Sequence, residues 1–509
     1  MKSPNSASPA PDSIALARSL VQQSLTAVQA LGDDAEVRTL AAFERQLWTL
    51  LLALGRTLVT LWLVRRDARP IAARYAHRGA TWEVQGTHSS RVGTRFGKVW
   101  FTRRTAFRVG GKEMDLPVDR AIGLCGGMSF GVLVHIAHLC ARMAFGQARE
   151  VFARSHEWCP SQDTTLRIVD AVGALARPFL EQLPVPDDDG EILVIMVDGG
   201  GAPMLRPEVL LRRRQPHRPR VGTVRGVRRA RRHQEHKPRR TKGQKSNNSK
   251  EAVLAVLYTL RGTPEGWEGP VNKRTYGTFE SYDALFQWVH REAKRRGYGR
   301  KPTLFLADGS RTIWRLQQKY FPKAEVCLDW FHADEKLWAA GECLYPEGSD
   351  ELLAWVEQQE DRLRGGQIRA LLNTLVRARE AIPKTGPGNK GKRTRLKRVW
   401  MYLHGHRARL QYKHFLAEGW DIGTGSMEGA VRNVVRLRLD SSGMQWGRLR
   451  SELVLHLRCI LVSGQWDAFE TYLENHPDMA MTPYPVPAVP HQAKPRDKTK
   501  VIPALKKAA

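Results

Sequence analysis

Three acids in this chain stand where acids can do chemistry. The apolar run EILVIMV ends on Asp198 and TLFLA ends on Asp308, so each acid closes a stretch that reads as a buried strand. Glu428 follows Gly423 and Gly425, which allow a sharp approach of the chain. With Ser426 as the N-cap, Glu428 falls in the first turn of a helix, where the partial positive charge favours its ionised form. Carboxylates of this kind are hard oxygen ligands, suited to magnesium or manganese. Two such ions about 3.5–4 Å apart activate an attacking oxygen and stabilise a leaving one in a phosphodiester displacement. Singly, each acid has a plainer reading: Asp-Gly after a strand is ordinary turn chemistry, and a first-turn Glu complements the helix dipole. It is their conjunction in a basic chain that favours the metal site.

The elements that must position them are legible around residues 301–332, KPTLFLADGSRTIWRLQQKYFPKAEVCLDWFH. A strand stops at Asp308-Gly309. A helix follows with Ile313, Leu316 and Tyr320 on one face, stopped by Pro322. A second strand, Ala324–Leu328, delivers Asp329 and His332. Strand, helix, strand in about thirty residues is a βαβ unit with parallel neighbours, and chemistry gathers beyond the carboxyl ends of such strands. The three glycines after Asp198 invite a phosphate-loop reading, but neither Walker spacing nor GxGxxG is present. The helix after Glu428 buries Val431, Val434 and Val435 and turns Arg432, Arg436 and Arg438 outward.

The balance of 81 Lys+Arg against 51 Asp+Glu leaves a net charge of +30. That excess calls for a polyanionic partner, most simply nucleic acid, with an anionic membrane as the competitor. Fifteen Lys/Arg against the single acid Glu235 fall between residues 211 and 245. So one-sided a block reads as an arm on phosphates, with Arg212, Arg213, Arg214, Arg228, Arg229, Arg231 and Arg232 among its contacts; the alternative is a solvated loop. The segment Leu47–Val64 nears the length of a membrane span, but Arg56 lies in its middle, which favours a core or oligomerisation helix. Six scattered cysteines without a C-x-x-C pair fit reduced thiols in a cytoplasm.

The expected organisation is a disordered 1–12, without the basic start and apolar core of a signal peptide, then an N-terminal helical region at 13–75. A small β module at 76–125, with Gly110-Gly111 as its hairpin turn, precedes a helix-turn-helix at 126–183. Its third helix, capped by Ser161, would present Gln162, Thr164, Thr165 and Arg167 to a DNA groove; an ordinary helical bundle is the alternative. An α/β core follows at 190–340, interrupted by the arm 211–245. A mostly helical stretch at 341–419 contains a Gly/Lys/Arg linker near TGPGNKGKRTR, the core resumes at 420–472, and a disordered Pro/Lys-rich tail closes the chain at 473–509.

The blocks VIMVDGGG, FLADGS, CLDWFH and GTGSMEGAVRNVVRLRLDSSGMQW resemble those of bacterial insertion-sequence transposases of the DDE class. They look most like the Kra-type group, related to the Mutator transposases. The resemblance covers roughly Ile192 to Leu461. It implies an RNase H-like core, a mixed sheet flanked by helices, with an all-α insertion between the second Asp and the Glu; here 120 residues separate Asp308 from Glu428. It also implies Asp198, Asp308 and Glu428 as ligands of two magnesium or manganese ions, and Asp329 with His332 as an accessory motif. The expected partners are double-stranded DNA, at the element's terminal inverted repeats and at a target, and further copies of the chain in a dimer or higher assembly. The expected place is the bacterial cytoplasm at the nucleoid, with no membrane. An RNase H-like nuclease without strand joining, or a non-catalytic DNA-binding derivative, are the alternatives.

Overall fold

The computed structural model describes residues 13–33, 39–205, 249–441 and 443–476. The expectations for both tails and for the arginine-rich arm, with all seven of its named arginines, lie outside these residues.

An apolar helix, Leu40–Asp67, follows a first helix, Ser13–Asp33. By length and composition it is the one helix among the described residues that could cross a membrane. One side of it packs on a small sheet, where Leu63 is buried and Arg56 Nη1 donates to the carbonyl of Phe96 at 3.1 Å, while Trp48, Leu51, Leu58, Trp62 and Val64 stay exposed. That sheet is antiparallel, in the order β1 (Arg74–His77), β2 (Ala80–Thr94), β3 (Gly97–Arg108) and β4 (Met114–Asp115). Alternating residues Val92, Val99 and Phe101 close a separate small core with Leu63 and Val118. The long hairpin turns at Arg95-Phe96, between the paired residues Thr94 and Gly97, so Gly110-Gly111 is a later and smaller turn into β4.

The larger sheet has five strands in the order β7-β6-β5-β8-β9. They span Ile192–Pro203 (β5), Ser249–Thr263 (β6), Gly266–Thr278 (β7), Thr303–Ala307 (β8) and Glu325–Leu328 (β9). β5, β8 and β9 are parallel, while β6 runs against both β5 and β7. Continuous burial of Ile192–Val197, Ala252–Leu260 and Thr303–Ala307 explains the unbroken apolar runs, because both faces are covered by helices. Helix Tyr282–Arg295 sends Phe286 against Phe305 of β8, and helix Arg311–Tyr320 makes the βαβ crossover to β9.

Helices Phe130–Arg142, Phe145–His156 and Gln162–Gln182 follow the small sheet and bury their apolar faces in the same core as the five-stranded sheet. Gly173 touches Leu453 of helix Arg448–Val462 so closely that a Cβ would sit 2.8 Å from that side chain, and Arg450 forks onto Asp170 at 2.7 and 2.6 Å. No break in packing therefore separates residues 126–183 from the sheet. Between β9 and Glu428 the chain is helical, as expected, in Trp330–Gly341, Asp350–Arg364, Ile368–Ala381, Asn389–Gly405 and Tyr412–Ala417. Most of the expected linker belongs to the fourth of these: only the residues up to Gly388, at φ 73°, are non-helical, and Asn389 starts the helix.

Candidate active site

Strand register brings the first two acids together. Val197 pairs with Ala307 at the last rung of the parallel β5–β8 ladder, so Asp198 and Asp308 leave neighbouring strands at the same level. β8 ends there. β5 does not, because its antiparallel pairing with β6 continues to Pro203, so Asp198 lies inside a strand rather than at its end. The glycines after it form no phosphate loop. A Cβ on Gly200 would stand 3.1–3.3 Å from Val435 and Val431, so this stretch of β5 is bare to let a helix lie on it. Side chains alternate along a strand, so Asp198 and Gly200 share the face which that helix covers.

Burial pushes the Asp198 carboxyl up to about 6, with the charge of Asp308 adding to it, against the Gly199 N–H that donates to Oδ1 at 2.6 Å. Asp308 Oδ1 accepts from Ser310 N at 2.9 Å, and its carbonyl accepts from Trp314 Nε1 at 2.7 Å, which fixes the turn. Gly309 has no room for a side chain, since a Cβ would meet the Tyr402 ring at 2.4 Å. Two carboxylates so placed repel each other unless a cation lies between them, and their oxygens are the donors that magnesium or manganese takes.

Glu428 arrives on a separate element. Helix Gly425–Ala430 runs into a π-helical turn, Val431–Arg436, whose Val431, Val434 and Val435 are buried as expected. The N-cap position belongs to Thr424, one residue before the helix starts, and Ser426 lies inside it. Glu428 is in the first turn and exposed. Among the described residues no three His, Cys, Asp or Glu side chains converge as a metal cage. The structure thus brings Asp198 and Asp308 together and sets Glu428 on the helix across the same face, without closing the triad.

What ties that helix to the sheet is Asp329. This fully buried residue follows β9, and its Oδ1 accepts from the backbone N of Thr424 at 2.7 Å. Its Oδ2 accepts from His332 N at 3.1 Å and faces His332 Nδ1 at 2.5 Å. Trp330 N donates to the carbonyl of Ile422 at 3.0 Å, and Tyr258 O–H donates to Asp421. Burial pushes the Asp329 carboxyl up, but the hydrogen bonds of His332 and Thr424 outweigh it and hold it below the usual range. The bond to Asp329 raises His332, which also feels Asp308 and in turn favours the ionised form of Asp198.

No family model matches the chain, and no curated protein matches it.

Of the expected groove readers, Gln162 and Arg167 are exposed and Thr164 is half-buried. Ser161 caps the helix, its Oγ accepting from Thr164 N at 3.1 Å, and Arg167 pairs with Asp163 at 2.5 Å. Thr165 cannot read a base: it is wholly buried, on the face with Ile168 and Val169. Arg432 and Arg436 are exposed as expected, but Arg438 is buried. Its Nε donates to the carbonyl of Cys140 at 2.8 Å, and its guanidinium lies 4.9 Å from the Phe145 ring and 4.7 Å from that of Trp446. The chain turns after the π-helical stretch, so helical spacing no longer predicts which way Arg438 faces.

Three residues near the acids escaped the sequence reading. Burial raises Tyr282 and Tyr402, and both feel Asp308; Glu251 of β6 adds its charge to Asp198 and Tyr282. The one available signal was the basic and aromatic interleaving of RLKRVWMYLHGHR around Tyr402.

Proposed function

We propose that the chain is a DDE-type transposase of a bacterial insertion sequence, cutting DNA at the element's ends and joining them to a target by phosphodiester transfer. The observation that carries this reading is the pairing of Asp198 and Asp308 at the parallel edge of a sheet ordered β7-β6-β5-β8-β9. That order, with β6 antiparallel, is the one an RNase H-like core requires. Asp198, Asp308 and Glu428 would hold two magnesium or manganese ions. Ions so held supply an activated oxygen nucleophile and positive charge for the leaving oxygen.

The chain's own residues do the rest. Asp198 must shed a proton before it can bind a cation, and His332, whose hold on a proton is raised by its bond to Asp329, favours that loss. Asp329 holds the amino end of the Glu428 helix, so the third carboxylate stays opposite the pair. Exposed Arg432 and Arg436 on that helix would meet phosphates, with exposed Gln162 and with Arg167, once released from Asp163, at the other helix terminus. The partners are double-stranded DNA, at terminal inverted repeats and at target, and further copies of the chain, in a bacterial cytoplasm at the nucleoid and away from membranes.

The test is a strand-transfer assay with duplexes ending in the inverted repeats that flank the coding region, plus magnesium. Wild type should give joined products, and Asp308→Ala should give none while still shifting the duplex. Cleavage without joining would make the chain a nuclease, and binding without cleavage a non-catalytic derivative.

A further inference from the structure

A cavity of about 470 Å³ opens beside Asp308, between helix Arg311–Tyr320 and the end of helix Asn389–Gly405. One side is aromatic and apolar, its two rings tilted by 56° to each other. The Tyr402 ring lies against Gly309, His406 packs on Tyr402 at 4.9 Å between centroids, and Met401 is 55% exposed, an unusual position for a thioether. The other side is cationic: Arg311 and Arg315 stand exposed on one helix, and Arg409 lies 4.4 Å over the Trp314 ring. None of the lining residues is acidic. Farther back on the same long helix, Lys390 and Lys397 line a second cavity of about 260 Å³ with Arg379 and Lys384, again with no acid. A helix of 17 residues is about 25 Å long, so a polyanion can follow it from the second cavity to the first.

Cations alone would serve a duplex backbone, whose bases stay stacked and need no apolar floor. A wall of two rings and an exposed thioether beside three guanidinium groups fits a different ligand: a single nucleotide out of its stack, with its phosphate. We propose that this cavity takes one nucleotide turned out of the duplex next to the bond that is cut, its base against Met401, Tyr402 and His406 and its phosphate on Arg311 and Arg315. This rests on the reading of the chain as an enzyme acting on DNA strands. The pocket would then hold the strand in register with Asp308, since Trp314 and Gly309 link its walls directly to the turn that carries the acid.

Binding without metal tests it on the full chain. Two duplexes of one sequence are compared, one fully paired and one with a single-nucleotide bulge. The bulged duplex should bind roughly tenfold more tightly, the worth of one stacked base. Met401→Glu, at an exposed position and checked by thermal melting, should erase that preference and leave the affinity for the paired duplex within about twofold. Arg315→Ala should reduce the preference and Arg315→Lys restore part of it. Equal binding of the two duplexes by wild type, or an equal loss for both in Met401→Glu, overturns the nucleotide pocket while leaving the proposed activity standing. Binding of neither duplex overturns the proposed activity itself, and the pocket with it.

Discussion

The two halves of the candidate site are held in different ways. Asp198 and Asp308 are placed by strand register: two backbone ladders on β5 and one on each side of β8 would have to slip before either acid moved. Glu428 is placed by a tether. Its short helix packs through buried Met427 and Ala430, and its amino end is held by the Asp329 carboxylate, one backbone bond from Trp330 and the hydroxyl of Tyr258. A ladder distributes its hold over many bonds, whereas a tether concentrates it in a few side chains. Mutation should therefore destroy the first half only by removing the acids themselves, but should loosen the second from a distance.

The largest effect belongs to the acids. Asp198→Ala or Asp308→Ala should lower strand cleavage and joining on the order of a thousandfold or more, since charge stabilisation by held ions is worth several kcal/mol. DNA affinity in a filter-binding assay should hardly change. Full activity in either variant would remove that residue from the site.

Next comes the pH dependence of the metal-free protein. The folded-state carboxyl of Asp198 lies near 6, above its unfolded value, so the folded state is favoured below the unfolded value and that advantage is lost as pH rises through about 6. A shift of about two units corresponds to roughly 3 kcal/mol. Urea denaturation of wild type and Asp198→Asn should diverge between about pH 4 and 6, with the variant the more stable at neutral pH. Parallel curves would mean that the carboxylate is not strained in the fold.

The tether comes third. Asp329→Ala leaves the buried Thr424 N–H without its acceptor and should cost about 1–3 kcal/mol in thermal unfolding. It should also slow strand transfer by roughly 10–100-fold, as loss of supporting contacts around metal ligands does elsewhere. Asp329→Asn keeps an acceptor for Thr424 and should recover most of the stability. His332→Ala should reduce the rate and leave metal affinity, read by calorimetry, nearly unchanged; an equal loss of metal binding would make His332 a ligand. Smallest is Tyr258→Phe, which removes one of several holds on the Glu428 helix. It should cost about 0.5–1.5 kcal/mol and lower the rate less than Asp329→Ala does. The reverse order would move the anchor from Asp329 to Tyr258.

The buried strands that carry Asp198 and deliver Asp308, the βαβ unit, the third helix with its Ser161 cap and the helical run before Glu428 were all legible, because apolar period and capping chemistry act over a few residues; the end of the first strand, at Pro203 and not at Asp198, was not. Strand β7 was not read, since its polar start, GWEGPVNK, hides the buried stretch from Arg274 to Thr278. Arg438 was misjudged because the π-helical turn ends at Arg436, and Thr165 for a different reason. Helical spacing says which residues share a face, and only the packing of helix on helix says which face is free.

The sequence by itself determined the kinds of groups: the acids after apolar strand runs, the basic balance of the chain and the elements that carry them. Only the tertiary structure decided how they meet. Register aligned Asp198 with Asp308 through pairing between strands 110 residues apart, a long-range hydrogen-bond choice that no local pattern encodes. The role of Asp329 was hidden in the same way, because its carboxylate acts on a backbone N–H 95 residues away that leaves no trace in side-chain spacing.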